Sequence, residues 1–79
     1  MEDKKECITN IFNKVYEINL KGNNLVFELD HHGVYVYDRT KKVGEMRIAD
    51  NVYFNSEYEL LNNQFDYAYV KMMNELNRY

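Results

Sequence analysis

The sequence predicts an α+β domain: a two-layer sandwich in which an antiparallel β-meander of three to four strands carries an N-terminal and a long C-terminal helix on one face. Three observations point there. Apolar residues recur at helical spacing near both ends of the chain, the period between them is two, and the breaks separating the period-two segments are short enough for neighbouring antiparallel strands. With 79 residues, three Gly, no Pro and one Cys, there is no Pro/Gly-rich linker and no disulfide framework. One domain over residues 1–79, held by a single packed core, is therefore expected.

Cys7, Ile8, Ile11, Phe12 and Val15 fall on one side of a helix predicted over about residues 3–14. From there Tyr16, Ile18 and Leu20 alternate with Glu17 and Asn19, which predicts a strand over 15–20. Lys21-Gly22-Asn23-Asn24 has turn chemistry and leads into a second strand over 25–30, with Leu25, Phe27 and Leu29 on one face. His31-His32-Gly33 turns the chain, Gly33 being able to supply a positive φ. Val34 to Asp38 forms the third strand and residues 44–49 the fourth, with Met46 and Ile48 alternating against Glu45 and Arg47.

The register that gathers the most apolar residues opposes Leu20 to Leu25 and Ile18 to Phe27, sets Leu29 near Val34 or Val36, and puts Val36 beside Met46 and Val34 beside Ile48. One face of the sheet is then dry, and the other is polar with Tyr35 and Tyr37 set into it. Asn51-Val52-Tyr53-Phe54 is left open between strand and loop. Ser56-Glu57-Tyr58-Glu59 fits a capping box, which starts a helix over 56–77 whose stripe is Leu61, Phe65, Ala68, Met72 and Leu76.

Ten Lys+Arg against thirteen Asp+Glu give a net charge of −3, which argues against general affinity for polyanions. The charge is uneven: residues 15–38 and 50–79 each sum to −3, whereas 39–49, with Arg39, Lys41, Lys42 and Arg47, sum to +3. The longest apolar run, Val34 to Tyr37, is far short of the roughly 20 residues that span a bilayer, so no membrane partner is expected and a cytoplasmic location, with Cys7 reduced, is. His31 and His32 lack a Cys/His partner at ligand spacing, and as strand neighbours they would point to opposite faces; no metal and no cofactor are expected. No Gly-rich phosphate loop, nucleophile elbow or ligand cluster marks an enzyme.

In the predicted register Glu17 and Glu28 approach each other on the wet face, where like charges repel. Screening by water accounts for such a pair; so does an acidic patch kept for a cationic partner, with Tyr35 and Tyr37 supplying contact area and faces for arginine. The expected partner surface is Glu17, Glu28, Asp30, Tyr35, Tyr37 and Asp38, with Glu57, Glu59 and Asp66 as a second patch on the last helix.

A helix–strands–helix order also describes double-stranded-RNA-binding domains, but acidic Ser56-Glu57-Tyr58-Glu59 stands where such a domain starts its last helix with lysines. The acidic chain, with Tyr16-Glu17-Ile18-Asn19-Leu20, Gly33-Val34-Tyr35-Val36-Tyr37 and an acidic, Tyr-rich C-terminal helix, instead resembles small phage-encoded anti-CRISPR proteins that inhibit type II Cas9 effectors. The similarity lies in layout and charge over most of the chain. It implies a non-enzymatic inhibitor, acting in the cytoplasm of a bacterial host, that fills a cationic DNA-reading groove of a defence nuclease with carboxylates. Two rival classes are an acidic adaptor domain, monomeric or homodimeric, that binds a host protein, and a nucleic-acid-binding module using the basic 39–47 hairpin with Tyr35 and Tyr37 as stacking platforms.

Overall fold

A computed structural model describes residues 3–54 and 64–79. The described residues form two helices, α1 (Lys4–Leu20) and α2 (Phe65–Leu76), and a three-stranded antiparallel sheet of β1 (Leu25–Leu29), β2 (Gly33–Asp38) and β3 (Val52–Tyr53) in the order β1-β2-β3. Both helices pack on one side of the sheet, α1 against β1 and α2 against β3, and they also touch each other. The α+β class with helices on one sheet face is as the sequence predicts.

The strand expected over 15–20 is instead the last third of α1, and the expected pairing of Leu20 with Leu25 and Ile18 with Phe27 does not occur. The apolar stripe continues at helical spacing through Cys7, Ile11, Val15 and Ile18, all buried. Asp3 caps the start, its Oδ1 accepting from the Glu6 N–H at 2.8 Å. At the other end Gly22, with φ at 103°, takes the left-handed conformation that stops a helix, and its N–H donates to the Asn19 carbonyl at 3.1 Å. Lys21–Asn24 is therefore a helix stop and connector, not a hairpin turn. Asn19 then reaches across it: its side-chain amide donates to the Leu25 carbonyl at 2.9 Å and accepts from the Leu25 N–H at 2.8 Å, as a neighbouring strand would.

β1 and β2 pair Leu25 with Asp38, Phe27 with Val36 and Leu29 with Val34. Period two sends Leu25, Phe27, Val34, Val36 and Asp38 toward the helices; Val34 and Val36 are wholly buried. The expected strand over 44–49 is interrupted. Val43–Glu45 is a 3-10 turn, Arg47 makes a single bridge to Tyr37, and regular pairing resumes only at Val52 opposite Val34. Met46 consequently lies opposite Asp38, whose N–H donates to its carbonyl at 2.7 Å, and Ile48 lies opposite Val36, at 3.1 Å. Both fall two residues from the expected register, and Ala49–Asn51 take up a further shift before β3.

Gly33 does not have a positive φ; it belongs to β2 because of close approach. A Cβ there would overlap the Val52 carbonyl oxygen and lie 2.9 Å from the Tyr53 Cα. In α2, Phe65, Ala68, Met72 and Leu76 are buried as their stripe predicts. This helix starts at Phe65 from an extended Gln64, so the expected helix over 56–77 is not continuous through Gln64; Ser56, Glu57, Glu59 and Leu61 lie outside the described residues. The two helices are joined by Asn10 donating to the Tyr69 hydroxyl at 3.0 Å and by Lys4, which sits 5.3 Å from the centre of the Phe65 ring and also reaches past the end of β3, donating to the Phe54 carbonyl at 2.9 Å.

Asp38, expected on the partner surface, is 4% exposed. As the inward member of the Val34-Val36-Asp38 alternation it accepts from the Thr40 hydroxyl at 2.6 Å and the Tyr79 hydroxyl at 2.7 Å, which ties the C-terminus to the sheet. The Thr40 hydroxyl and then the Tyr79 hydroxyl hold its carboxyl below the ordinary value, against opposing desolvation. Burial and the same bond push the Tyr79 phenol up to about 12. A carboxyl whose folded pKa is depressed stabilises the fold above its unfolded value, and that stabilisation is lost as pH falls through the folded one. For the phenol, stabilisation is complete below its unfolded value and lost as pH rises through about 12.

Two outcomes follow. Asp38→Asn should lower stability at neutral pH by about 1–3 kcal/mol and flatten the acid limb of a melting-temperature profile below about pH 4, because the group that titrates there is gone; an unchanged limb would contradict the assignment. Gly33→Ala should cost about 1–3 kcal/mol in denaturant unfolding through the forced shift of β3, and a neutral substitution would show that β3 does not lie against β2.

Candidate partner-binding face

The side of the sheet away from the helices is built by the other half of the same alternation. The register sets Val26 beside Tyr37 and Glu28 beside Tyr35 on this outer face. β3 adds Tyr53, whose ring meets Tyr35 edge to face at 6.1 Å between centres. Beyond β2, the 39–47 segment folds so that its 3-10 turn and Arg47 bridge wall off one end of the face.

Between wall and sheet lies an open groove of about 550 Å³. Val26, Glu28 and Tyr37 form its floor, and Arg39, Val43, Gly44, Met46 and Arg47 its flank. Val43 is 89% exposed, an apolar rim with no packing role of its own. The side chains of Glu28, Arg39 and Arg47 have no hydrogen-bond or ion-pair partner among the described residues. The groove thus offers two guanidinium groups and one carboxylate around an aliphatic and phenolic floor. Such a site can clasp an apolar side chain and pair with a carboxylate beside it.

The expected acidic surface is not assembled as one patch. Glu28, Tyr35 and Tyr37 do share the outer face. Asp30 stands at the end of the same hairpin, where its Oδ1 accepts from the His32 N–H at 2.8 Å, the Gly33 N–H at 3.1 Å and the Tyr35 hydroxyl at 3.3 Å. Glu17 is exposed on α1 and Asp66 on α2, in the opposite layer, so Glu17 and Glu28 are not neighbours. Asp38 points inward, and Glu57 and Glu59 lie outside the described residues. Sequence reasoning placed Arg39 and Arg47 in a separate basic hairpin. Their position next to the Tyr35-Val36-Tyr37 alternation is the signal that could have brought them to this face.

His31 and His32 join β1 to β2. They occupy the turn that the sequence predicts, but their rings lie 3.9 Å apart, so the opposite-faces argument, which holds for strand neighbours, does not apply to them. Among the described residues no three His, Cys, Asp or Glu side chains converge as a metal site would need. No helix among the described residues is long and apolar enough to cross a membrane. No protein-family model, no curated protein and no solved structure matches the chain.

At Asp30, desolvation works to raise the carboxyl pKa, but the His32 and Gly33 N–H groups, then the Tyr35 hydroxyl and the His32 charge, outweigh it and hold the group below its ordinary value. Tyr35 is pushed up to about 12 by burial first and then by the Asp30 carboxylate. Asp30→Asn removes that carboxylate. Ultraviolet titration should show one phenol ionising earlier in the variant than in the parent, and superimposable curves would dissociate Tyr35 from Asp30.

Proposed function

We propose that this chain is a non-catalytic protein-binding domain whose docking surface is the outer sheet face, centred on the groove between Tyr37 and the 39–47 segment. The observation that carries this is the open face itself: Val26, Tyr35, Tyr37 and Tyr53 lie there in partial exposure, beside Arg39 and Arg47 side chains that have no partner among the described residues. Tyrosine and arginine are the residues that supply contact area and charged hydrogen bonds at interfaces for little ordering cost. Two guanidinium groups against one carboxylate favour a partner that brings an acidic side chain next to an apolar one.

A second reading is the inhibitor of a bacterial defence nuclease, of the anti-CRISPR kind, that blocks a cationic nucleic-acid groove. Its support is the net charge of −3 and the exposure of Glu17, Glu28, Asp30 and Asp66. It fits the outer face less well, because Arg39 and Arg47 flank Glu28 there and would meet a cationic groove with like charge.

Affinity capture from a bacterial lysate separates the two. The parent and an Asp66→Lys variant should retain the same protein, whereas Tyr37→Ala combined with Arg47→Glu should weaken its capture about tenfold or more, as loss of an interface anchor does. Loss on Asp66→Lys with retention by the outer-face variant would move the contact to the helical layer and favour the inhibitor. Retention by all three would overturn the outer-face reading.

A further inference from the structure

β1 is an edge strand, and its hydrogen-bonding parity can be read from its ends. Arg39 donates its N–H to the Asn24 carbonyl at 3.3 Å and Asp30 donates to the Gly33 carbonyl at 3.1 Å. The even-numbered residues of this stretch therefore bond to β2, and Leu25, Phe27 and Leu29 direct their N–H and C=O groups away from it. The Asn19 side chain takes both backbone groups of Leu25. Phe27 and Leu29 keep theirs unpaired among the described residues.

Alongside this edge, α1 lays out Phe12, Tyr16 and Leu20 at spacing four, 51%, 59% and 71% exposed, with Phe12 edge-on to Phe27 at 5.5 Å. Leu29 is 54% exposed. A strip of large apolar side chains thus borders an unpaired strand edge, the combination that natural edge strands usually avoid.

The geometry points to a second copy of this chain as the occupant, in a two-fold dimer joined β1 to β1 into a continuous six-stranded sheet. The edge is self-complementary. An antiparallel pairing with the axis at Glu28 sets Phe27 opposite Leu29 of the second copy and Leu29 opposite its Phe27, so that the free N–H and C=O groups of both chains satisfy one another. The Asn19 clamp on Leu25 stays in place. Because α1 lies over the same side of the sheet as Phe27, the two copies of the Phe12-Tyr16-Leu20 stripe meet above the junction. Half-exposed side chains of this size each hide on the order of 100 Å², so the four give about 400 Å² per copy, and the paired backbone raises the total toward the roughly 1,200 Å² at which stable interfaces begin.

The same register places Glu28 directly across from its counterpart on the outer face, where like charges weaken the pair. Association is therefore expected to be modest and concentration-dependent, with a dissociation constant in the micromolar range. The inference concerns the β1 edge, which shares Glu28 with the outer-face groove, and does not rest on the docking reading; its readout is self-association alone.

Sedimentation equilibrium of the whole chain tests it. The parent should show a monomer–dimer equilibrium, and Glu28→Gln should tighten it about two- to fivefold by removing the repulsion. Glu28→Lys alone should remain as weak as the parent. An equimolar mixture of Glu28→Lys and parent should form a heterodimer tighter than either homodimer, since only apposed residues 28 turn repulsion into attraction. Tyr16→Glu, on the helix surface, should raise the dissociation constant more than tenfold with the helical circular dichroism retained. A chain that stays monomeric up to about 1 mM, or a dimer indifferent to mixing the two charge forms, would overturn the inference; the first outcome would assign the edge to a different occupant.

Discussion

The register of β1 on β2 is the constraint from which the rest of the molecule follows. Side chains alternate across a strand, so a slip of one residue would send every inward group to solvent and every outward group into the core. Pairing Phe27 with Val36 commits Val34, Val36 and Asp38 to the helical layer and Tyr35, Tyr37, Val26 and Glu28 to the open face. Core and candidate docking surface are thus two sides of one decision. The buried side decides it, because burying Val34 and Val36 completely outweighs anything the half-exposed tyrosines gain.

Asp38 shows how a polar residue is accommodated at the end of that inward row. Its buried carboxylate would be costly alone, yet the Thr40 hydroxyl on one oxygen and the Tyr79 hydroxyl on the other supply the hydrogen bonds that water would give. The chain is thereby turned outward at residue 39 while its C-terminus is fastened underneath. Arg39 to Arg47 are left to flank the outer face, and a segment that looks like an independent basic hairpin becomes one wall of the groove.

Much of this was legible in the residues themselves. The spacing of Phe65, Ala68, Met72 and Leu76 announced a buried helix stripe, and the Leu25-Phe27 and Val34-Val36 alternations announced which strand faces are dry, although Leu29, at the end of the first, is left half-exposed. The stretch 15–20 was misread because Tyr16, Ile18 and Leu20 satisfy period two while Val15 and Ile18 extend the stripe of Cys7 and Ile11. Gly22 does not separate the readings, since it ends a helix with a positive φ as readily as it makes a hairpin; the helix is the form that buries Val15 and Ile18 together with Cys7 and Ile11. Asp38 followed the period but was assigned to the surface for its charge, since its partner Tyr79 lies 41 residues away. The close contact requiring Gly33 is equally non-local: it depends on Val52, in a segment whose own pattern named no element.

The β1–β2 register can be read in solution from nuclear Overhauser contacts between α-protons, which approach most closely across the non-hydrogen-bonded pairs of an antiparallel ladder. Strong Hα–Hα cross peaks are predicted for Phe27 with Val36 and for Leu25 with Asp38. Peaks joining Phe27 to Tyr35 or Tyr37 instead would place the tyrosines in the core and contradict the account.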